Sequence, residues 1–164
     1  MWEQLSARLG RPEYVHVVLN HLPLIGLLVA MVALAAALAT RDRTAILIGL
    51  ALVGLLALSA WPVYEYGEAG YDRVLSMSDE VGGKFLEQHR ALAERWVFLY
   101  FVTAGVAGVG FALAWKWPRT LIPSAIVALL LAAASLAAGI VIAEAGGAVR
   151  HREFRFSPPP AASG

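Results

Sequence analysis

Long apolar runs alternate with short polar punctuation along this chain. Val15–Ala39 is the first run and closes on Arg41-Asp42-Arg43. Ala45–Val63 is the second, ending in Trp61-Pro62. Trp96–Trp115 is the third, followed by Lys116-Trp117-Pro118-Arg119. Thr120–Ala143 is the fourth and stops at Glu144. A bilayer core needs about 20 consecutive, mostly apolar residues in helical form. A segment that crosses it must satisfy its own backbone hydrogen bonds. The pattern therefore predicts an all-α membrane protein whose four transmembrane helices, over 15–39, 45–63, 96–115 and 120–143, form an antiparallel bundle. Trp61, Trp96, Trp115 and Trp117 fall at span ends, where an interfacial aromatic belt is expected. The first run is too long for a cleaved signal peptide, and no small-residue cleavage site follows it.

The connections differ in kind. Between the first and second runs, and again between the third and fourth, only a short basic turn remains, so each pair reads as a hairpin. The middle segment, 64–95, has another composition. Tyr64-Glu65-Tyr66-Gly67-Glu68-Ala69-Gly70-Tyr71-Asp72 reads as an irregular acidic-aromatic loop, and Gly82-Gly83 as a breaker. From Lys84 the apolar positions Phe85, Leu86, His89, Leu92 and Trp96 recur at helical spacing. The third helix is thus expected to start near Lys84 and to rise about three turns out of the membrane. Pro23 removes a backbone donor just past His21 and should kink the first helix. Residues 1–153 form the membrane domain, and the Pro-rich 154–164 reads as an extended tail. No internal repeat stands out beyond the two hairpins. An even number of spans puts both termini and the middle segment on one face.

Composition narrows the class. The chain has 164 residues, 59% hydrophobic and 15% charged, with a mean hydropathy of +0.66. A soluble domain is roughly 45–50% apolar and about 25% charged. Disordered chains, nucleic-acid modules and ordinary cytosolic enzymes are excluded. There is no cysteine, which removes disulfides, iron–sulfur clusters, thiolate zinc sites and covalent c-type haem. The net charge of +1 says little, but its distribution bears on orientation. Arg41, Arg43, Lys116 and Arg119 crowd the short turns against one acid, Asp42. By density near span ends this puts the short turns in the cytoplasm, and the termini and middle segment in the periplasm of a bacterial inner membrane. By raw count of basic residues the opposite orientation follows.

The remaining chemistry is histidine. His16 and His21 open the first helix, His89 lies near the start of the third, and His151 follows the fourth. The hairpin topology brings all four to the termini face. His16 and His21 are five residues apart, hence about 140° apart in azimuth and about 7.5 Å in depth, too far for one compact metal. His89 shares its stripe with Phe85, Leu92 and Trp96, so it points into the bundle. Gly147 precedes His151 by one turn, and Gly146-Gly147 strips side chains from beside that candidate ligand, as a flat macrocycle or a close helix contact requires. Imidazoles facing one another across a helical bundle are the ligation of b-type haem. Four histidines would serve two haems, and two would serve one. Each also has a plainer reading: His16 and His89 as interfacial side chains with wet tips, and His151 as a tail residue. Glu144 could relay protons or orient a histidine, or simply snorkel to the interface. No Walker, Gly-x-Ser-x-Gly or His-Glu-x-x-His pattern occurs.

His16-Val17-Val18-Leu19-Asn20-His21-Leu22-Pro23 resembles the opening His-Pro-x-x-x-His-Phe-Pro-type signature of the bacterial domain of unknown function 2231 family. His89-Arg90 resembles that family's second histidine site, and Gly146-Gly147-Ala148-Val149-Arg150-His151 its closing Gly-Gly-x-x-x-His element. The likeness runs from residue 14 to about 153 and departs at Val17, where proline is the pattern, and at Leu22, where an aromatic is. It implies a four-span inner-membrane protein. Members also occur joined to Rieske-type or c-type cytochrome domains, which implies redox work with His16, His21, His89 and His151 acting as a set.

The leading expectation is an electron-transfer protein or subunit carrying one or two b haems, working between quinol and a redox partner. One alternative is a copper or zinc site built from the histidines with Glu144 or Glu87. Another is a scaffold subunit of a larger respiratory or photosynthetic complex without a cofactor. In every reading the chain contacts the lipid bilayer and no nucleic acid.

Overall fold

The computed structural model describes residues 2–156 and 158. It is an all-α fold with four helices long and apolar enough to cross a membrane: Pro12–Thr40, Arg43–Ser76, Glu80–Lys116 and Pro118–Arg150. The chain is a multi-pass membrane protein. A short amphipathic helix, α1 (Trp2–Leu9), precedes the first span. That span comprises α2 (Pro12–Leu19), a π-helical turn (Leu22–Gly26) and α3 (Leu27–Thr40). The second comprises α4 (Arg43–Leu58) and α5 (Ala60–Ser76). The third comprises α6 (Glu80–Trp96) and α7 (Phe98–Lys116), and α8 (Leu121–Arg150) is the fourth.

Proline at position 23 has no N–H to give, and the chain accommodates it by widening one turn into π geometry. The expected interruption is there, and Pro23 itself is buried. The turns are capped by acids. Asp42 accepts the Ala45 N–H at 2.6 Å and opens α4 just after Arg41, which takes a left-handed conformation with φ 55°.

The middle segment corrects the sequence expectation. Tyr64–Asp72 is helix, part of α5, and the connection shrinks to the residues between Ser76 and Glu80. Gly67 and Gly70 lower helix propensity. Each sits against α2, however, with His16 beside Gly67 and the Glu13 backbone beside Gly70. Tertiary packing outweighs propensity here. Nor does Gly82-Gly83 break the chain: α6 starts at Glu80, four residues before the expected Lys84. Asp79 caps that start by accepting the Gly82 N–H at 2.6 Å, and Gly82 lets the Val149 carbonyl of α8 come close. The second and third spans, 34 and 37 residues long, therefore both project from the membrane on the termini face.

The two hairpins repeat one another. Leu27, Ala30, Leu34 and Ala37 are buried in the first, and Tyr100, Thr103, Ala107 and Gly110, each 73 residues later, in the second. Ile46, Gly49, Val53 and Ala60 correspond in the same way to Ala125, Ala128, Ala132 and Gly139, each 79 residues later. Residue types differ, and what recurs is the buried face. α4 packs on α7, α3 on α4 and α8, and α7 on α8, so the first and third spans lie on a diagonal rather than side by side. Across the bundle interior, Thr103 and Ser135 share a fully buried hydroxyl hydrogen bond of 2.8 Å.

Arg155 closes the termini face. It donates to the Ala148 and Val149 carbonyls at the end of α8 and to both carboxylate oxygens of Asp79, at 3.0 and 3.1 Å. Arg152 adds a third contact to Asp79 at 3.0 Å. Of the expected extended tail, Phe154 ends a 3-10 turn and Arg155 is anchored; Ser157 and 159–164 lie outside the described residues. The hydrogen bonds from Arg155 and from the Gly82 N–H hold the Asp79 carboxyl at about 2, below its ordinary 3.8. A depressed carboxyl stabilises the fold above its unfolded value, and that contribution is lost as pH falls through the folded one. Amide-exchange protection of residues 80–84 and 148–155 should hold from neutral pH down to about 3.8 and fall from there toward about 2. Asp79→Asn should abolish that pH dependence.

Candidate functional site

Two histidines meet across the diagonal at the termini end. His16 on α2 and His89 on α6 have ring centroids 6.0 Å apart and planes at 90°. Each ring is tied from behind. His16 Nδ1 lies 2.8 Å from the Val63 carbonyl of α5, and His89 Nδ1 lies 2.8 Å from the Ile142 carbonyl of α8. A carbonyl only accepts, so both Nδ1 atoms carry the proton and donate. In the neutral ring this arrangement leaves Nε2 as the acceptor nitrogen, which is the tautomer a metal-ligating imidazole needs.

Glycine makes this attachment possible. Gly67 follows Val63 by one helical turn, and Gly146 follows Ile142 by one turn. A Cβ at Gly67 would stand 2.9 Å from His16 Nδ1, and one at Gly146 would stand 3.0 Å from His89 Nδ1. With no Cβ, each ring lies against the neighbouring helix backbone and reaches the carbonyl one turn back. The 73- and 79-residue offsets of the buried faces relate His16 to His89 and Gly67 to Gly146. The site is one histidine–glycine clasp built twice.

The pair borders a cavity of ≈ 90 Å³, with Asn20, Pro23, Tyr64, Tyr100 and Gly139 among its walls. Next along α6, Arg90 joins Glu68 at 2.7 Å and Glu94 at 3.1 Å, with its guanidinium 4.9 Å from the Tyr71 ring centre. That cluster ties α6 to α5. Glu13 and Arg73, 2.7 Å apart, tie α2 to α5 in the same way, and Glu13 Oε2 is buried without a hydrogen-bond partner.

The other expected residues lie elsewhere. His21 is exposed, and its Nδ1 turns back to the Val17 and Val18 carbonyls of its own helix. His151 is exposed, 3.1 Å from Glu153 and with its ring against Phe154. Gly146 serves His89 rather than His151, and a Cβ at Gly147 would meet Phe154. Glu144 is exposed on α8. Among the described residues no group of three or more His, Cys, Asp or Glu side chains is placed to hold a metal ion. Sequence reasoning missed Gly67, because it lay in a segment read as a loop. The offset that pairs His16 with His89 does not pair the two glycines, which fall into correspondence only at the second offset, so no single alignment exposes them. No protein-family model, curated protein or solved structure matches the chain.

Adding a methyl at either clasp glycine crowds an imidazole that cannot withdraw without losing its carbonyl. Gly67→Ala and Gly146→Ala should each destabilise the folded chain by about 1–3 kcal/mol through overpacking. Gly105→Ala, where a Cβ meets nothing within 4 Å, should instead stabilise it, by up to about 1 kcal/mol through helix propensity. Reversible unfolding in mixed micelles measures all three. Equal effects at the three positions would contradict the clasp.

Proposed function

We propose that the chain is a membrane-embedded b-type haem electron-transfer protein or subunit, with His16 and His89 as the axial ligands. The observation that carries this reading is the spacing and tautomer of the pair. Two imidazoles on opposite sides of one metal stand with ring centres roughly 6 Å apart, from metal–nitrogen bonds of about 2.0 Å and about 1.1 Å within each ring. The pair stands at 6.0 Å.

The donor count favours haem over a bare ion. A structural or catalytic zinc site takes three or four protein ligands. Haem brings its own equatorial nitrogens and asks the protein for two axial ligands, the number this cleft offers. The cleft of ≈ 90 Å³ is below the roughly 300–1,000 Å³ of a cofactor pocket. Binding therefore has to widen it by parting the His16 and His89 rings.

Haem supplies one-electron redox chemistry when bound. The chain's own contribution is orientation and basicity: the two carbonyl bonds hold the rings perpendicular and raise the donor strength of Nε2. Partial burial of both rings would help tune the potential. Because the pair lies toward the termini face, a haem held by His16 and His89 would supply electron exchange with a redox partner on that side and with quinol from the bilayer. In this reading the termini are periplasmic in a bacterial inner membrane, and the basic turns cytoplasmic. The redox work implied by the sequence resemblance agrees with this assignment.

The full chain, produced with haem available and purified in mild detergent, should show a Soret band and b haem by pyridine hemochromogen. His16→Ala and His89→Ala should each lose it with helical content intact, while His21→Ala and His151→Ala keep it. Wild-type protein without haem sinks the proposal, as does haem that survives both His16→Ala and His89→Ala.

A further inference from the structure

On the opposite half of the bundle, an apolar groove of ≈ 350 Å³ opens between α7 and α8. Gly105, Val109 and Leu113 line one wall, and Pro123, Ser124 and Val127 the other. Two features hollow it out. Gly105 has no side chain, and a Cβ there would meet nothing within 4 Å. Farther along, α7 and α8 close on each other at Gly110, where a Cβ would stand 2.9 Å from the Ser124 Cβ, and this contact forms a floor. From Gly105 to Leu113 the groove follows α7 for about 12 Å.

Positive charge stands at its end. Lys116 lies one helical turn beyond Leu113 on the same face, and Arg119 precedes Pro123 by four residues. Arg43 joins them by donating to the Ala114 and Trp115 carbonyls at the end of α7. The neighbouring acid, Asp42, is already used as the cap of α4. Exposed Trp115 and Trp117 mark the headgroup level.

We propose that this groove holds one acyl chain of an anionic phospholipid, whose phosphate is bound by Lys116 and Arg119. Lys116 stacks its ammonium 4.7 Å from the Trp117 ring centre and has no acidic partner among the described residues, and an apolar trough that ends in cations without acidic partners matches an amphiphile with one negative head. A second copy of this chain fits less well, because a two-fold contact along α7 and α8 would set Lys116 and Arg119 against their own like charges.

The test uses full-length chain reconstituted in vesicles of equal phosphatidylglycerol and phosphatidylcholine with matched acyl chains, then extracted for native mass spectrometry. Wild-type protein should retain phosphatidylglycerol over phosphatidylcholine by about thirtyfold, from two headgroup-level cations. The double variant Lys116→Gln, Arg119→Gln should retain both lipids equally. Gly105→Leu, which fills the groove where nothing stands in its way, should lose both lipids while remaining folded. Equal retention by wild-type protein overturns the proposal, as does unchanged retention in Gly105→Leu. A lipid-free dimer that Gly105→Leu dissolves would assign the groove to a second copy instead.

Discussion

Two hydrogen bonds from imidazole to backbone carbonyl, His16 to Val63 and His89 to Ile142, govern the termini end of this bundle. Each joins the first helix of a hairpin to the second helix of the same hairpin. Each needs a glycine one turn beyond the acceptor. A histidine at a helix–helix contact is costly without a partner for its N–H. The carbonyl supplies that partner and uses only Nδ1 of the ring.

The repeat explains why the two rings meet. Equivalent positions of two similar hairpins fall on opposite sides of the bundle axis when the hairpins pack side by side. The first and third spans occupy one diagonal, with the second and fourth spans between them, so His16 and His89 face each other across the middle. Ion pairs then fix the ends of the helices that carry them. Glu13 with Arg73 holds α2 to α5, Glu68 with Arg90 holds α5 to α6, and Asp79 with Arg155 holds the start of α6 to the end of α8. Surface ion pairs are individually weak. Here they close helix ends around a small apolar cluster of Phe85, Leu86, Ala148 and Val149.

The four spans were legible because apolar run length is a strong signal for a membrane helix. The shared face of the histidines was legible too, since it follows from hairpin topology. The 64–72 stretch was not. Its glycines, acids and tyrosines carry the composition of a loop, and its helicity depends on contacts with α2 that no local window contains. For the same reason Gly146 was noticed but assigned to the nearby His151 rather than to His89, which is distant in sequence. The repeat was hidden because it preserves which face is buried rather than which residues fill it, as in Leu27 against Tyr100 or Ala30 against Thr103.

The most direct test is solid-state NMR of the full chain in lipid with ring-labelled histidine, before any haem is added. The account predicts a through-space contact between the His16 and His89 rings, with Nδ1 of each ring protonated and hydrogen-bonded to its carbonyl. Rings that show no mutual contact, or an Nδ1 that carries no proton, would contradict it.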